Sequence, residues 1–231
     1  MKPFTLLLSV GSGLMLLLVL LAGDSSQPLP EERPFPDPDP YETVVIVAVD
    51  LSGSYLPLLA DRGKAWEFLQ RVLDRYARGR GREKLVIAQL SGNNRPMILD
   101  TTPDRLRRDF DTPEAFKAFL HAKADPKASR LYDGMTESID YALGIPGVTP
   151  QTNVVVLFLT DYEDNHSSPG GEARLMRAIG TLGKRPGSAV GFYYVGQHLA
   201  ARLRDDVRAT GVKNFVVHSA IETEIPLPNL D

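Results

Sequence analysis

The 231 residues include no cysteine. That excludes disulfides, thiolate zinc sites and a lipidated N-terminal cysteine, and it leaves the redox compartment open. Net charge is also small, −3 with a pI near 5.8, which argues against a nucleic-acid binder with its basic face. The arginine clusters Arg78 to Arg82 and Arg105 to Arg108 are short and sit beside expected helix ends, where solvated termini account for them. No Gly-rich phosphate loop and no internal repeat is visible.

Charge is missing altogether from Phe4 to Ala22, a leucine-rich run of nineteen residues behind Lys2. As a helix rising about 1.5 Å per residue it would span roughly 30 Å, the thickness of a bilayer core. Asp24, Glu31 and Glu32 follow it, so the positive-inside rule places residues 24 onward outside the cytoplasm. The run is longer than a usual signal core, and Leu20-Leu21-Ala22-Gly23 is a poor small-x-small cleavage site. Residues 1–23 are therefore expected to be an uncleaved membrane anchor; cleavage would instead give a secreted protein. Residues 24–40 form a linker in which Pro28, Pro30, Pro34, Pro36, Pro38 and Pro40 are mixed with acids. Proline fixes φ and removes donors, so this segment is expected to be extended and semi-rigid.

Beyond the linker, strand and helix patterns alternate, in a chain whose 43% apolar and 24% charged content is ordinary for a globular domain. Thr43 to Val49 is a charge-free β-branched run that reads as a buried strand. Lys84 to Leu90 is a second strand, closed by the turn Ser91-Gly92-Asn93-Asn94. Arg95 to Leu99 returns as a short antiparallel edge strand, where Pro96 is tolerated. Asn153 to Leu159, Ala189 to Val195 and Asn214 to Val217 complete the strands. Trp66, Leu69, Leu73 and Tyr76 share one face of a first helix. Asp111-Thr112-Pro113-Glu114 has the form of a capping box opening a second, Pro113 to Ala122. Leu131, Met135, Ile139 and Leu143 make the stripe of a third, stopped by Gly144. Two more cover about Glu172 to Leu182 and His198 to Thr210. The alternation predicts an α/β domain over residues 41–220, doubly wound, with a mostly parallel sheet, one antiparallel edge strand and helices on both faces. A tail, 221–231, follows it.

Asp50-Leu51-Ser52-Gly53-Ser54 comes directly after the first strand. Ligands of open α/β sheets bind at that carboxyl edge, and here an acid and two hydroxyls stand at alternate positions. Three hard oxygen donors in one turn suit magnesium. Ser129 opens the third helix within Ser129-Arg130-Leu131-Tyr132-Asp133-Gly134, and Asp161 closes the Asn153 strand at the same edge as Asp50. Two carboxylates converging there repel unless a cation lies between them, and no lysine or arginine occupies either strand end. A simpler reading, in which Asp50 and Ser54 merely cap the first helix, covers one loop and not three.

In order, spacing and context, Asp50, Ser52, Ser54, Ser129 and Asp161 resemble the von Willebrand factor type A domain across roughly residues 41–220. The resemblance implies a Rossmann-like fold with a metal-ion-dependent adhesion site. Ser52 and Ser54 would then coordinate magnesium directly, Ser129 would stand at the family's second-loop threonine, and Asp50 and Asp161 would hold metal-bound waters. A partner's carboxylate commonly completes such a shell. Two positions depart from the family pattern. Ser129 keeps the oxygen but lacks the methyl that limits its rotamers. Tyr162 stands where the family tends to have glycine; a bulky residue disfavours positive φ, so the loop is expected to be reshaped. Glu163, Asp164, Asn165 and His166 continue a loop read as solvated, with Tyr162, Glu163 and Asp164 bordering the opening.

The expected function is an extracytoplasmic, non-enzymatic protein-binding module that needs a divalent cation, magnesium, and takes an acidic side chain of a protein partner. It would meet the membrane through its N-terminal segment and bind no nucleic acid. One alternative is a magnesium-dependent hydrolase using Asp50, Asp161, Asp164 and His166. Phosphatases on similar sheets generally place a second acid where this chain has Ser52, and no nucleophile–base pair is evident. The other alternative is a metal-free scaffold, should Tyr162 block the site. His121, His198 and His218 read as structural or exposed.

Overall fold

The structure is a computed structural model that describes residues 39–53, 55–60, 63–76, 82–91, 96–124, 130–164, 166–222 and 224–228. All of them fall in the unit Asp37–Asp231. The expected anchor 1–23, the linker up to Pro38, and two of the five candidate ligands, Ser54 and Ser129, lie outside the described residues. Among the described residues no helix is long and apolar enough to cross a membrane.

Strands and helices run β1 (Thr43–Val49), α1 (Lys64–Tyr76), β2 (Glu83–Gln89), β3 (Met97–Thr101), α2 (Pro103–Asp109), α3 (Pro113–Lys123), α4 (Leu131–Gly144), β4 (Asn153–Leu159), α5 (Gly171–Gly183), β5 (Ala189–Val195), α6 (Gln197–Ala209) and β6 (Phe215–Ser219). A short 3-10 turn, Leu56–Leu59, precedes α1. The strands form one sheet in the order β3-β2-β1-β4-β5-β6. Every pairing is parallel except that of β3 on β2 at the edge. This is the doubly wound, mostly parallel sheet that the alternating pattern predicts.

Side-chain alternation along β1 divides the core. Val44, Ile46 and Ala48 pack with α4, α5 and α6, while Val45, Val47 and Val49 pack with α1 and α3. Burial on both faces is why β1 and β4 read as unbroken apolar runs. Ala65, Phe68, Leu69 and Val72 form the inner face of α1, with Trp66 beside them. Leu73 and Tyr76, expected on that face, are only partly buried against it.

Three local expectations change. The edge strand begins two residues later than read, at Met97; Pro96 has no N–H for the ladder, but its carbonyl accepts from Gln89 N at 2.7 Å. Helix α2 was not expected at all. Its Thr102-Pro103-Asp104 opening repeats the grammar of Thr112-Pro113-Glu114, and the two threonine hydroxyls accept from Arg105 N at 3.4 Å and Ala115 N at 3.2 Å. Arg107 and Arg108 consequently lie in its last turn, where cations meet the negative end of the helix dipole. Finally, Gly144 does not stop α4. The helix ends because Ile145, at φ −64 and ψ 126, is extended ahead of Pro146.

Beyond β6 the chain returns over the α1 side. Arg71 donates to Ile225 O at 2.8 Å, Tyr193 to Pro226 O at 2.9 Å, and Ile225 and Leu227 pack against the core.

Candidate metal centre

β1 and β4 pair in parallel with Val49 beside Leu159, and Asp50 N extends the ladder one step by donating to Leu159 O at 2.9 Å. The chain leaves β1 for β2 on one side and has β4 on the other, so these two strand ends flank the topological switch point. Asp50 is 1% exposed there. Its Oδ1 accepts from Ser52 N at 2.9 Å and its Oδ2 from the Thr160 hydroxyl at 3.4 Å. Thr160 in turn accepts from Tyr162 N at 2.9 Å. Asp161 is half-buried; its Oδ1 accepts from Glu163 N at 3.0 Å and its carbonyl from Gly196 N at 2.9 Å. Asp50, Ser52 and Asp161 thus come to one sheet edge. Asp50 closes a turn within its own loop and does not cap α1, and no side chain caps the 3-10 turn that follows.

Burial pushes Asp50 up to about 6; its bonds from Ser52 and Thr160 pull the other way, and the charge of Asp161 adds to the rise. Burial also raises Asp161, with the charge of Glu163 adding to it. Among the described residues no basic side chain offsets either carboxylate. At neutral pH this edge therefore carries buried negative charge with no counter-charge among the described residues. Nor do three or more of histidine, cysteine, aspartate and glutamate gather anywhere among the described residues to hold a metal. A cation at this edge would rest on two carboxylates, hydroxyls and water, a hard-oxygen set that fits magnesium and not a softer metal.

The backbone at Tyr162 does not avoid positive φ. Tyr162 adopts φ 66, the left-handed conformation that glycine takes without strain. A side chain there costs on the order of 1–3 kcal/mol. The ring offsets it: Tyr162 is 1% exposed, edge-on to Phe192 at 5.8 Å and against Tyr132 at 5.2 Å. Tyr162→Gly should relieve the backbone yet leave an aromatic-sized hole worth about 3–5 kcal/mol. A net loss of about 2 kcal/mol in urea denaturation is expected; a gain would show that the ring packs loosely.

Nor is the remainder of this loop simply solvated. Arg130 precedes α4 and gives it no side-chain cap, so the first amides of the helix need partners from elsewhere. Asp164 Oδ1 accepts from Leu131 N at 2.8 Å, and Ser167 Oγ accepts from Tyr132 N at 3.0 Å and Asp133 N at 3.4 Å. Ser167 N and Oγ bond back to Asp164 at 3.0 and 2.6 Å. Asp133, 6% exposed, receives Ser168 N at 3.0 Å, Arg174 at 2.7 Å and Arg130 at 3.0 Å. Gly171 permits the closure, since a Cβ there would lie 3.1 Å from Ser167 Cβ and 3.2 Å from Tyr132 Cβ. Tyr162 and Asp164 therefore do not line the opening. Glu163 is exposed at its rim with His198, 4.0 Å away, as neighbour. Reading the sequence missed the roles of Asp133, Ser167, Ser168 and Arg174; His198 is exposed, as read. The available signal was a helix opening on Arg130-Leu131, with an Asp-x-x-Ser turn pattern in a distant loop.

No family model matches the chain, and no curated protein matches it. Similar solved structures include the N-terminal domain of TFIIH p34, 14% identical, with 78% of this chain and 92% of that chain covered and a TM-score of 0.49. Another is the conserved hypothetical protein BatB from Bacteroides thetaiotaomicron, 19% identical over 76% of this chain and 89% of that one, TM-score 0.48. A third is an aerotolerance-related membrane protein from Bacteroides fragilis, carrying multiple mutations to serines, 16% identical over 78% and 92%, TM-score 0.46. The chain's own strand order and directions define its class: an open α/β sheet with two adjacent strand ends carrying acids at the switch point.

Proposed function

We propose that this chain is a non-enzymatic protein-binding module holding magnesium at the carboxyl ends of β1 and β4. An acidic side chain of a protein partner would enter the ion's shell, as in the von Willebrand factor type A domains that the motif resembles. The observation that carries the reading is Asp50, a carboxylate 1% exposed beside Asp161 with no basic partner among the described residues. Ser52, Ser54 and Ser129 would supply hydroxyl ligands, and Asp50 and Asp161 would hold the ion's waters. Asp50 is already oriented for this by Ser52 N. The leucine-rich segment Phe4 to Ala22 would tether the domain to a membrane, on its outer side. Glu163 and His198 at the rim would tune partner choice, the acid by repelling surplus negative charge. A hydrolase finds less support, because Asp164 spends its oxygens on Leu131 N and Ser167, and His166 stands exposed.

Calorimetric titration of the full chain with magnesium should show one saturable site, abolished in Asp161→Ala. Partner capture should be lost with chelator and restored by magnesium. Capture that survives both chelator and Asp161→Ala would move the interface elsewhere on the domain and favour a metal-free scaffold.

A further inference from the structure

His218 lies on β6 and is 1% exposed. Its Nε2 stands 3.2 Å from Glu222 O. A carbonyl can only accept, so Nε2 carries the ring proton and Nδ1 is left as a bare acceptor. That Nδ1 is buried and has no hydrogen-bond partner. Aromatic rings surround it, Tyr194 edge-on at 5.5 Å and Tyr193 tilted at 6.2 Å. The charged groups around the ring are Lys64 of α1 and Glu222, which pairs with Arg204 of α6 at 3.6 Å. Burial outweighs the charge and carbonyl of Glu222, with Lys64 adding to it, and holds the ring below its ordinary 6.5. Glu222 is also where the chain turns back over α1. Its N–H donates to Ser219 O at 3.0 Å, and its Oε2 accepts from Ser219 N at 3.1 Å. Past this turn, the carbonyls of Ile225, Pro226 and Pro228 accept from Arg71 at 2.8 Å, Tyr193 at 2.9 Å and Tyr76 at 3.2 Å. Those three donors keep their protons throughout the range of about pH 5 to 8. Histidine is the side chain whose ordinary value falls inside it.

We infer that His218 is a pH-sensitive latch: neutral, it holds Glu222 and the strap of residues 224–228 over α1, and protonated at Nδ1, it lets them go. A proton on Nδ1 creates a buried donor with no acceptor and a buried charge together. Once the strap is off, the ring meets water and takes the proton at its ordinary value, so acid favours the open form. Closure is therefore complete above about pH 6.5. Below that, the opening equilibrium grows by up to about tenfold per unit of pH, until the closed ring titrates as well. Opening uncovers the part of the α1-side core on which Ile225 and Leu227 pack.

The test is cleavage of the full chain after Glu222 and Glu224 by a glutamyl endopeptidase at pH 7.5 and pH 5.5. Rates are divided by those of a free peptide of residues 219–228, which removes the protease's own pH dependence. Cleavage of a transiently opened segment tracks its open population. The wild-type ratio should rise several-fold in acid, with a ceiling of about tenfold. His218→Gln keeps a donor for Glu222 O and cannot titrate here, so its ratio should be the same at both pH values. His218→Phe lacks that donor and should be cut faster than the wild type at pH 7.5, again with no rise in acid. In the wild type, cleavage should also follow the protonation curve of the His218 ring measured by NMR, a comparison that needs no variant. A flat wild-type ratio, or a rise displaced from the ring's own titration, would overturn the latch. So would a rise that persists in both variants, which would assign it to the Glu222–Arg204 pair.

Discussion

Without magnesium at neutral pH, Asp50→Asn is expected to melt about 5 °C above the wild type. Folding forces the carboxylate from a reference of 3.8 up to about 6. Two units correspond to about 3 kcal/mol that an ionised Asp50 takes from the fold. A chain of this length moves about 2–4 °C per kcal/mol; the lost bond from the Thr160 hydroxyl to Oδ2 takes back about 1 kcal/mol, which leaves about 5 °C. Asparagine keeps an acceptor for Ser52 N and removes the charge. Magnesium is expected to raise the wild-type melting temperature, and the same change should eliminate that gain, since a cation relieves the same repulsion. Thermal scans of both chains, in chelator and in millimolar magnesium, would show it. An Asp50→Asn chain that melts with the wild type in chelator and still responds to magnesium would remove Asp50 from the site.

Asp133→Asn should have the opposite effect, a loss of about 2 kcal/mol at pH 7. Burial alone would raise the Asp133 carboxyl, but the Ser168 amide and hydroxyl, Arg174 and Arg130 outweigh it and bring it down to about 2, from 3.8. A depressed acid stabilises the fold above its unfolded value and loses that contribution as pH falls towards the folded one. The stabilisation is therefore complete above about pH 4 and fades towards pH 2. Both arginines are partly exposed, with 41% and 37% of their side-chain surface accessible, so solvent screening lowers the figure that two units would otherwise give. Urea titrations at pH 7 and pH 2.5 should show the gap between the two chains closing with acid. A gap of equal size at both would place the effect in side-chain geometry and not in charge.

Much of this architecture is legible in the residues. The β1, β4 and β5 boundaries match their apolar runs to the residue, because strands buried on both faces leave no polar position to confuse their ends. Asp50 and Asp161 are placed by those ends, so the acid pair of the site follows from strand prediction alone. Boundaries set by a single turn are less visible. Helix α2 has only seven residues, too few for a stripe to stand out, although its Thr102-Pro103-Asp104 opening matches the one recognised ten residues later. Tyr162 illustrates a different limit. Local sterics argue against φ 66, and only the aromatic contacts with Tyr132 and Phe192, distant in sequence, reverse that preference. The bonds of Asp164 and Ser167 to α4 span more than thirty positions, and no local pattern announces which helix a polar loop will cap.

That long-range capping also bears on kinetics. Asp161 and the cap of α4 belong to one stretch of backbone, so the loop beside the sheet edge cannot swing away without exposing three helix amides. On the reading proposed above, a partner arriving at this edge would meet a preorganised rim. Little conformational entropy remains to be lost on that side when the two surfaces engage. Association should then proceed close to rigid-body docking, with backbone shifts at this loop below about 1 Å between free and bound forms. Loosening the cap would then be expected to slow capture without removing any of the proposed contact groups.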